Sequence, residues 1–194
     1  MSDTTFDRAR ASASTSLREA YDTVQRWLHW STAILFLIAV AIGFYASLQQ
    51  PGTSPRRELL EVHKSLGITI LALALLRLAY RLWVRPPAMP AALSRLVRWA
   101  ASVNHWLLYG LMLVMPVTGF TFSSAGGHPL KYFWLFDWPR LIARNDAIAL
   151  RAETLHAWFA WLVYAVVLMH VVAVLWHELI KRDGTLSRMW VRRG

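Results

Sequence analysis

The chain has no cysteine at all. That absence removes disulfides, thiolate zinc sites and cysteine-held iron–sulfur clusters, and with them haem attached covalently through CxxCH. A redox centre here has only histidine, methionine, tyrosine or carboxylate ligands to draw on. Acidic residues are scarce as well: 11 Asp and Glu stand against 21 Lys and Arg, a formal charge of +10. Such a balance can mark a nucleic-acid binder. Here the basic residues flank apolar runs and form no aromatic-interleaved patch, so no nucleic-acid partner is expected. Long polar stretches are also few. The main one, residues 1–22 (MSDTTFDRARASASTSLREAYD), reads as a polar cytoplasmic tail. The apolar run after it is longer than a signal-peptide core and has no convincing cleavage site.

What is present is hydrophobic: 56% of the residues, with 11 Trp. Runs at about 27–48, 64–84, 102–123 and 154–178 each reach the roughly 20 residues that cross a bilayer. QQPGTSP, RPPAMP and SSAGGHP separate them with turn chemistry. The expectation is an all-α integral membrane protein, an up-and-down four-transmembrane-helix bundle. Residues 23–190 form its membrane domain and 191–194 a basic end.

Orientation follows from the basic residues. Arg8, Arg10, Arg18 and Arg26, then Arg77, Arg81, Arg85, Arg95 and Arg98, then Lys181, Arg182, Arg188, Arg192 and Arg193 fall on one side, fourteen in all. Seven fall on the other: Arg56, Arg57, Lys64, Lys131, Arg140, Arg144 and Arg151. The positive-inside rule then places both termini in the cytoplasm. The third connection, 124–153, is long, and its KYFWLFDW suits the membrane interface, where aromatic rings collect.

Ionisable side chains inside a membrane are functional candidates by default, and there are seven histidines. His29 sits near the cytoplasmic end of span 1 and His63 near the outer end of span 2. His156 and His170 lie fourteen residues apart on span 4. That spacing is two heptads, so both face a bundle interior, about 21 Å apart at 1.5 Å per residue. Two layers result: His63 can face His156, and His29 can face His170. Paired imidazoles at two depths are what two bis-histidine b haems need, whereas zinc needs three or four ligands together.

His177 competes with His170 but would separate the layers by about 31 Å. It could instead serve quinone binding or proton transfer, or sit at the interface; His105, at the start of span 3, is a second candidate of that kind. Arg77 and Arg81 form a cationic face that could hold haem propionates or a quinone headgroup, or merely anchor the helix. Gly67, four residues after His63, could bare the backbone to a planar ring or serve ordinary helix packing. Pro116 and Gly119 suggest a kink in span 3. His128, in a Gly/Pro loop, is the weakest ligand candidate.

These strings, in this order, carry a resemblance: LHW in span 1, VHKSLGI followed by RLAYRL, NHWLLYGLMLVMPVTGF, TLHAWFAWLVYAVVLMHVVAVLWHE and a closing KRDGTLSRM. Over about residues 21–190 the chain resembles the bacterial di-haem cytochrome b561 family, related to the cytochrome b subunits of nickel hydrogenases and formate dehydrogenases. The resemblance implies an inner-membrane protein with two haem b. By position, His29 and His170 would ligate the cytoplasmic-side iron, and His63 and His156 the periplasmic-side iron. It also implies electron exchange with ubiquinone, and superoxide oxidation coupled to quinone reduction is ascribed to similar proteins.

Two functions follow as expectations. The first is electron transfer between a periplasmic donor, superoxide among the candidates, and membrane ubiquinone, with the basic outer loops steering an anionic reactant. The second is a haem-bearing anchor subunit that relays electrons from a partner dehydrogenase or hydrogenase. A haem-free transporter or structural bundle, the third reading, predicts a colourless protein. Exposed apolar faces permit a homodimer in the lipid bilayer.

Overall fold

The computed structural model describes residues 20–89 and 93–190. Most of the expected polar tail, 1–19, and the basic end, 191–194, lie outside the described residues. Four long helices dominate: α1 (Thr23–Ser47), α2 (Ser54–Trp83), α3 (Arg95–Ala125) and α4 (Asp146–Leu175). All four are long and apolar enough to cross a membrane. They begin four to ten residues before the expected runs and end within three residues of them, because local chemistry rather than hydropathy sets the ends.

Asp22 opens α1 with a capping box: its carboxylate accepts from the Gln25 N–H at 2.9 Å, and the Gln25 side chain reaches back to the Asp22 N–H. Pro55 lies in the first turn of α2, where its missing N–H costs nothing. Ser94 and Asn145 cap α3 and α4 through their side chains.

The chain runs up and down, each helix packing on the next: α1 on α2, α2 on α3, α3 on α4. Among the described residues, no Cα of α1 comes within 8 Å of one of α4, although Phe44 and Tyr164 meet edge to face between them. Helices in direct ridge-and-groove contact lie 8–10 Å apart axis to axis, so the α1–α4 side of the bundle is open. The packed centre is confined to mid-depth: Phe36 and Ala39 of α1, Ile70 and Ala74 of α2, Tyr109 and Met112 of α3, Val163 and Val166 of α4. Outward, Trp158 and Trp161 of α4 are 71% and 68% exposed, a surface suited to hydrocarbon rather than water.

Two smaller elements close the ends. Between α3 and α4, strands β1 (Lys131–Tyr132) and β2 (Phe136–Asp137) form an antiparallel hairpin, where the sequence suggested only an interfacial aromatic stretch. Its loop is three residues long, and within it the Leu135 N–H donates to the Tyr132 carbonyl at 2.9 Å. The two residues inside that turn, Phe133 and Trp134, have φ of 45° and 60°, the left-handed values of a primed turn. The hairpin rests on α2 through Ser65, which is fully buried; its hydroxyl accepts from the Phe133 N–H at 2.8 Å. At the other end, α4 passes into a π-helical turn, Trp176–Lys181, and the chain folds back. This C-terminal segment caps α1: the Trp30 indole donates to the Met189 carbonyl at 2.9 Å, and the Arg26 guanidinium to the Trp190 carbonyl at 3.2 Å.

Candidate functional site

The four helices bring side chains together in two layers, one near the hairpin and one near the chain termini. In the hairpin-end layer, the His63 and His156 rings meet edge to face with centroids 6.2 Å apart. Each imidazole is held by main chain of a neighbouring helix. His63 Nδ1–H donates to the Ala39 carbonyl of α1 at 2.9 Å. His156 Nδ1–H is shared between the Met115 carbonyl of α3 at 3.1 Å and the Thr118 hydroxyl at 3.0 Å. Pro116 lies inside α3 at this point, and an interior proline removes one helical hydrogen bond.

Room for these rings comes from two glycines. A Cβ at Gly43 of α1 would lie 2.7 Å from His63 Cε1, and one at Gly119 of α3 would lie 3.2 Å from His156 Cε1. Gly67 faces elsewhere, its nearest neighbour being the Pro116 side chain at 4.0 Å.

The termini-end layer holds His29, Arg77, His105 and His170. The Arg77 guanidinium donates to His29 Nδ1 at 2.8 Å and lies over the Tyr109 ring at 5.2 Å. Arg81 lies over Tyr109 and Trp106, at 5.7 and 5.8 Å. Cation–π contact of this kind lets a guanidinium sit at the membrane boundary without an acidic partner. His105 Nδ1–H donates to the Ala101 carbonyl of its own helix at 2.6 Å, and its ring lies 5.4 Å from that of His170. The Asn104 amide Nδ2 donates to His170 Nδ1 at 3.1 Å. Gln25, Arg77, Arg81, His105, Tyr109 and Met189 line a small cleft at this end.

Two histidines stand apart from both layers. His177 donates from Nδ1 to Asp183 at 2.5 Å within the C-terminal segment. Burial alone would raise the Asp183 carboxyl, but hydrogen bonds from Thr185 and His177 outweigh it and hold the group below its ordinary value. His128 is exposed, edge-on to Phe122. Among the described residues, no group of three or more His, Cys, Asp or Glu could hold a metal ion, so the imidazoles do not assemble a zinc-type cluster.

The layers share a register that the sequence reading used on one helix only. His29 and Gly43 on α1, His63 and Arg77 on α2, His105 and Gly119 on α3, and His156 and His170 on α4 are each fourteen residues apart. Each helix thus contributes one residue to each layer. Gly43 and Asn104 escaped sequence reasoning, although this repeat would have found the glycine. Nothing in the sequence marks Asn104.

The model of the family described as prokaryotic cytochrome b561 matches residues 20–192. Among curated proteins, the chain is similar to cytochrome b561 homolog 2 of Escherichia coli (strain K12). The two are 32% identical over 175 residues, covering 90% of this chain and 93% of the relative. A probable superoxide oxidase CybB of Yersinia pestis is 28% identical over 181 residues, 91% of this chain and 99% of its own. Cytochrome b561 homolog 1 of Escherichia coli (strain K12) is 26% identical over 173 residues, 89% and 98% of the two chains.

Proposed function

The chain belongs to the prokaryotic cytochrome b561 family, and on that premise we propose that it moves electrons across the bacterial inner membrane through two b haems, one in each layer. Binding of b-type haem and haem-dependent electron transfer in a bacterial membrane come with the family; the count of two, the ligands and the reactants are our reading. His63 and His156 hold the haem of the hairpin-end layer, and His29 and His170 that of the termini end. The arrangement of two imidazole-bearing layers, about 21 Å apart along α4 with an apolar midsection between them, is the observation that carries this reading.

The residues fit such a group. Gly43 and Gly119 let the His63 and His156 rings lie against the backbone of α1 and α3, where a single Cβ would crowd them. The open α1–α4 side gives the interior width. Ala39 and Met115 carbonyls keep the proton of His63 and His156 on Nδ1, leaving Nε2 as the free lone pair. A bound b haem supplies a one-electron Fe(III)/Fe(II) couple.

The termini end is cytoplasmic by its Lys and Arg excess. Its cleft, with Arg77, Arg81, His105 and Gln25 at hand, offers donors to a ubiquinone carbonyl, and His105 is positioned to pass a proton there. His177, tied to Asp183, is not needed. At the periplasmic end, Arg56, Arg57, Lys131, Arg140, Arg144 and Arg151 set up a positive field that favours an anionic donor, superoxide being one candidate. The similarity to a probable superoxide oxidase points the same way.

A second reading is an anchor subunit for a partner dehydrogenase or hydrogenase. In its favour, the hairpin tip exposes Trp134, Leu135 and Phe136, a surface on which a partner could dock. The test is direct. Purified protein should show two b haems by pyridine haemochrome and reduce ubiquinone in vesicles when superoxide is generated outside. Co-purification with a soluble catalytic subunit and no superoxide-driven turnover would favour the anchor. A colourless protein from haem-replete cells would sink both.

A further inference from the structure

Asn104 of α3 is 6% exposed, and its Oδ1 is a buried oxygen with no hydrogen-bond partner. Buried polar atoms are rarely left unpaired, because each has lost its hydration with nothing in exchange. The other end of the same amide, Nδ2, donates to His170 Nδ1. Among the described residues it is the hydrogen-bond partner of that ring.

The donor sense has a consequence for the imidazole. A neutral histidine carries one ring proton. If Nδ1 accepts from Asn104, the proton is on Nε2, and a protonated nitrogen offers no lone pair to a metal. His63 and His156 are in the opposite condition: their partners are carbonyls, which only accept, so Nδ1 carries the proton and Nε2 is free. For His170 to match them, Nδ1–H needs an acceptor. Half a turn of the Asn104 amide about its last torsion brings the orphan Oδ1 to the place of Nδ2. In either orientation one end of the amide is bonded and the other is not, so the exchange is close to neutral for Asn104 itself.

We propose that Asn104 is a positioning residue for His170: its Oδ1 turns to accept the Nδ1 proton when Nε2 takes haem iron, and through that bond it sets the potential of the termini-end haem. This rests on His170 being an axial ligand, as proposed above. A hydrogen-bond acceptor on Nδ1 raises the basicity of the ligand and favours the ferric state. The amide thus does at this site, reversibly, what main-chain carbonyls do permanently at the other.

The experiment is a redox titration of the purified holoprotein, followed in the visible spectrum, for wild type, Asn104→Asp and Asn104→Leu, with His170→Ala as companion. Aspartate presents an acceptor at both ends and should lower one of the two midpoint potentials. Leucine presents none and should raise the same one. Each shift should be about tenfold in the redox equilibrium, about 59 mV for a one-electron couple, and the second haem should stay at its wild-type potential. Unmoved potentials, or shifts of the same sign in both variants, would overturn the role of Asn104. If the leucine variant does not accumulate, the aspartate variant alone decides: an unmoved potential in it refutes the proposal. Should His170→Ala keep two haems, the ligand assignment itself fails; loss of one haem there with an unmoved Asn104→Asp potential refutes the Asn104 role alone.

Discussion

Gly43 has no room for a methyl group, since a Cβ there would stand 2.7 Å from His63 Cε1, well inside van der Waals contact. At Gly119 the corresponding distance is 3.2 Å, which a few tenths of an ångström of movement relieves. Gly43→Ala should therefore push the haem count from two towards one, and Gly119→Ala should shift the spectrum with less loss; pyridine haemochrome and reduced spectra distinguish the two. A second prediction concerns Arg77. Its guanidinium can only donate, yet it faces His29 Nδ1, which as an axial ligand through Nε2 must carry a proton there. On the proposed ligation Arg77 would have to release His29, so Arg77→Gln, which can accept, should tighten haem at the termini end. Titration of haem into depleted protein reads that change.

At this scale the histidines were legible in the sequence, because an ionisable group in an apolar run stands out on its own. Asn104 was not, since one amide among polar helix ends carries no signal until a neighbouring helix supplies the imidazole. The glycines fall between: Gly119 beside Pro116 reads as a kink and Gly43 has no mark of its own, and only the fourteen-residue interval they share with a histidine picks them out.

Among the elements, the hairpin and the C-terminal segment carry distinct expectations. Ser65 is the peg on which the hairpin hangs, so Ser65→Ala leaves the half-buried Phe133 N–H without its acceptor. The cost should be about 1–3 kcal/mol, seen as faster protease cleavage within 131–137 while the haem bands persist. The C-terminal segment is tied by Asp183, which takes hydrogen bonds from Thr185 and His177. Its carboxyl is held below the reference value of 3.8. A lowered folded value means the tie contributes above that reference and is lost as pH falls through the folded one. Acidification below 3.8, or Asp183→Asn at neutral pH, should loosen the turn that follows α4 while Met189 and Trp190 stay bonded to α1, measured as faster proteolysis just beyond Lys181 with the spectrum unchanged.

Hydropathy made the four helices legible, since long apolar runs admit few other structures in lipid. It said nothing of their true ends, which Asp22, Pro55, Ser94 and Asn145 decide. The hairpin was invisible for a different reason: Phe133 and Trp134 take left-handed backbone that glycine or asparagine usually signals, and tertiary anchoring to α2 overrides that preference.

For the whole molecule, the two layers share no side chain and are separated by the apolar midsection. Sites farther than about 7–10 Å apart with no common partner act additively. His63→Ala and His170→Ala should each remove one haem, and the double variant both, with each single variant keeping the potential of the haem that remains.

That same midsection has an electrical meaning. An electron passing from one layer to the other travels about 21 Å of a hydrocarbon core about 30 Å thick, and so falls through roughly two thirds of any voltage across the membrane. One charge crossing 100 mV in full is worth about 2.3 kcal/mol, so the share between the layers is about 1.6 kcal/mol, or roughly fifteenfold in how the electron is distributed. A bundle that carries electrons between the layers as proposed is a partner of the proton-motive force as well as a conduit: energising vesicles should drive electrons from the negative face to the positive one, and a protonophore should let them redistribute.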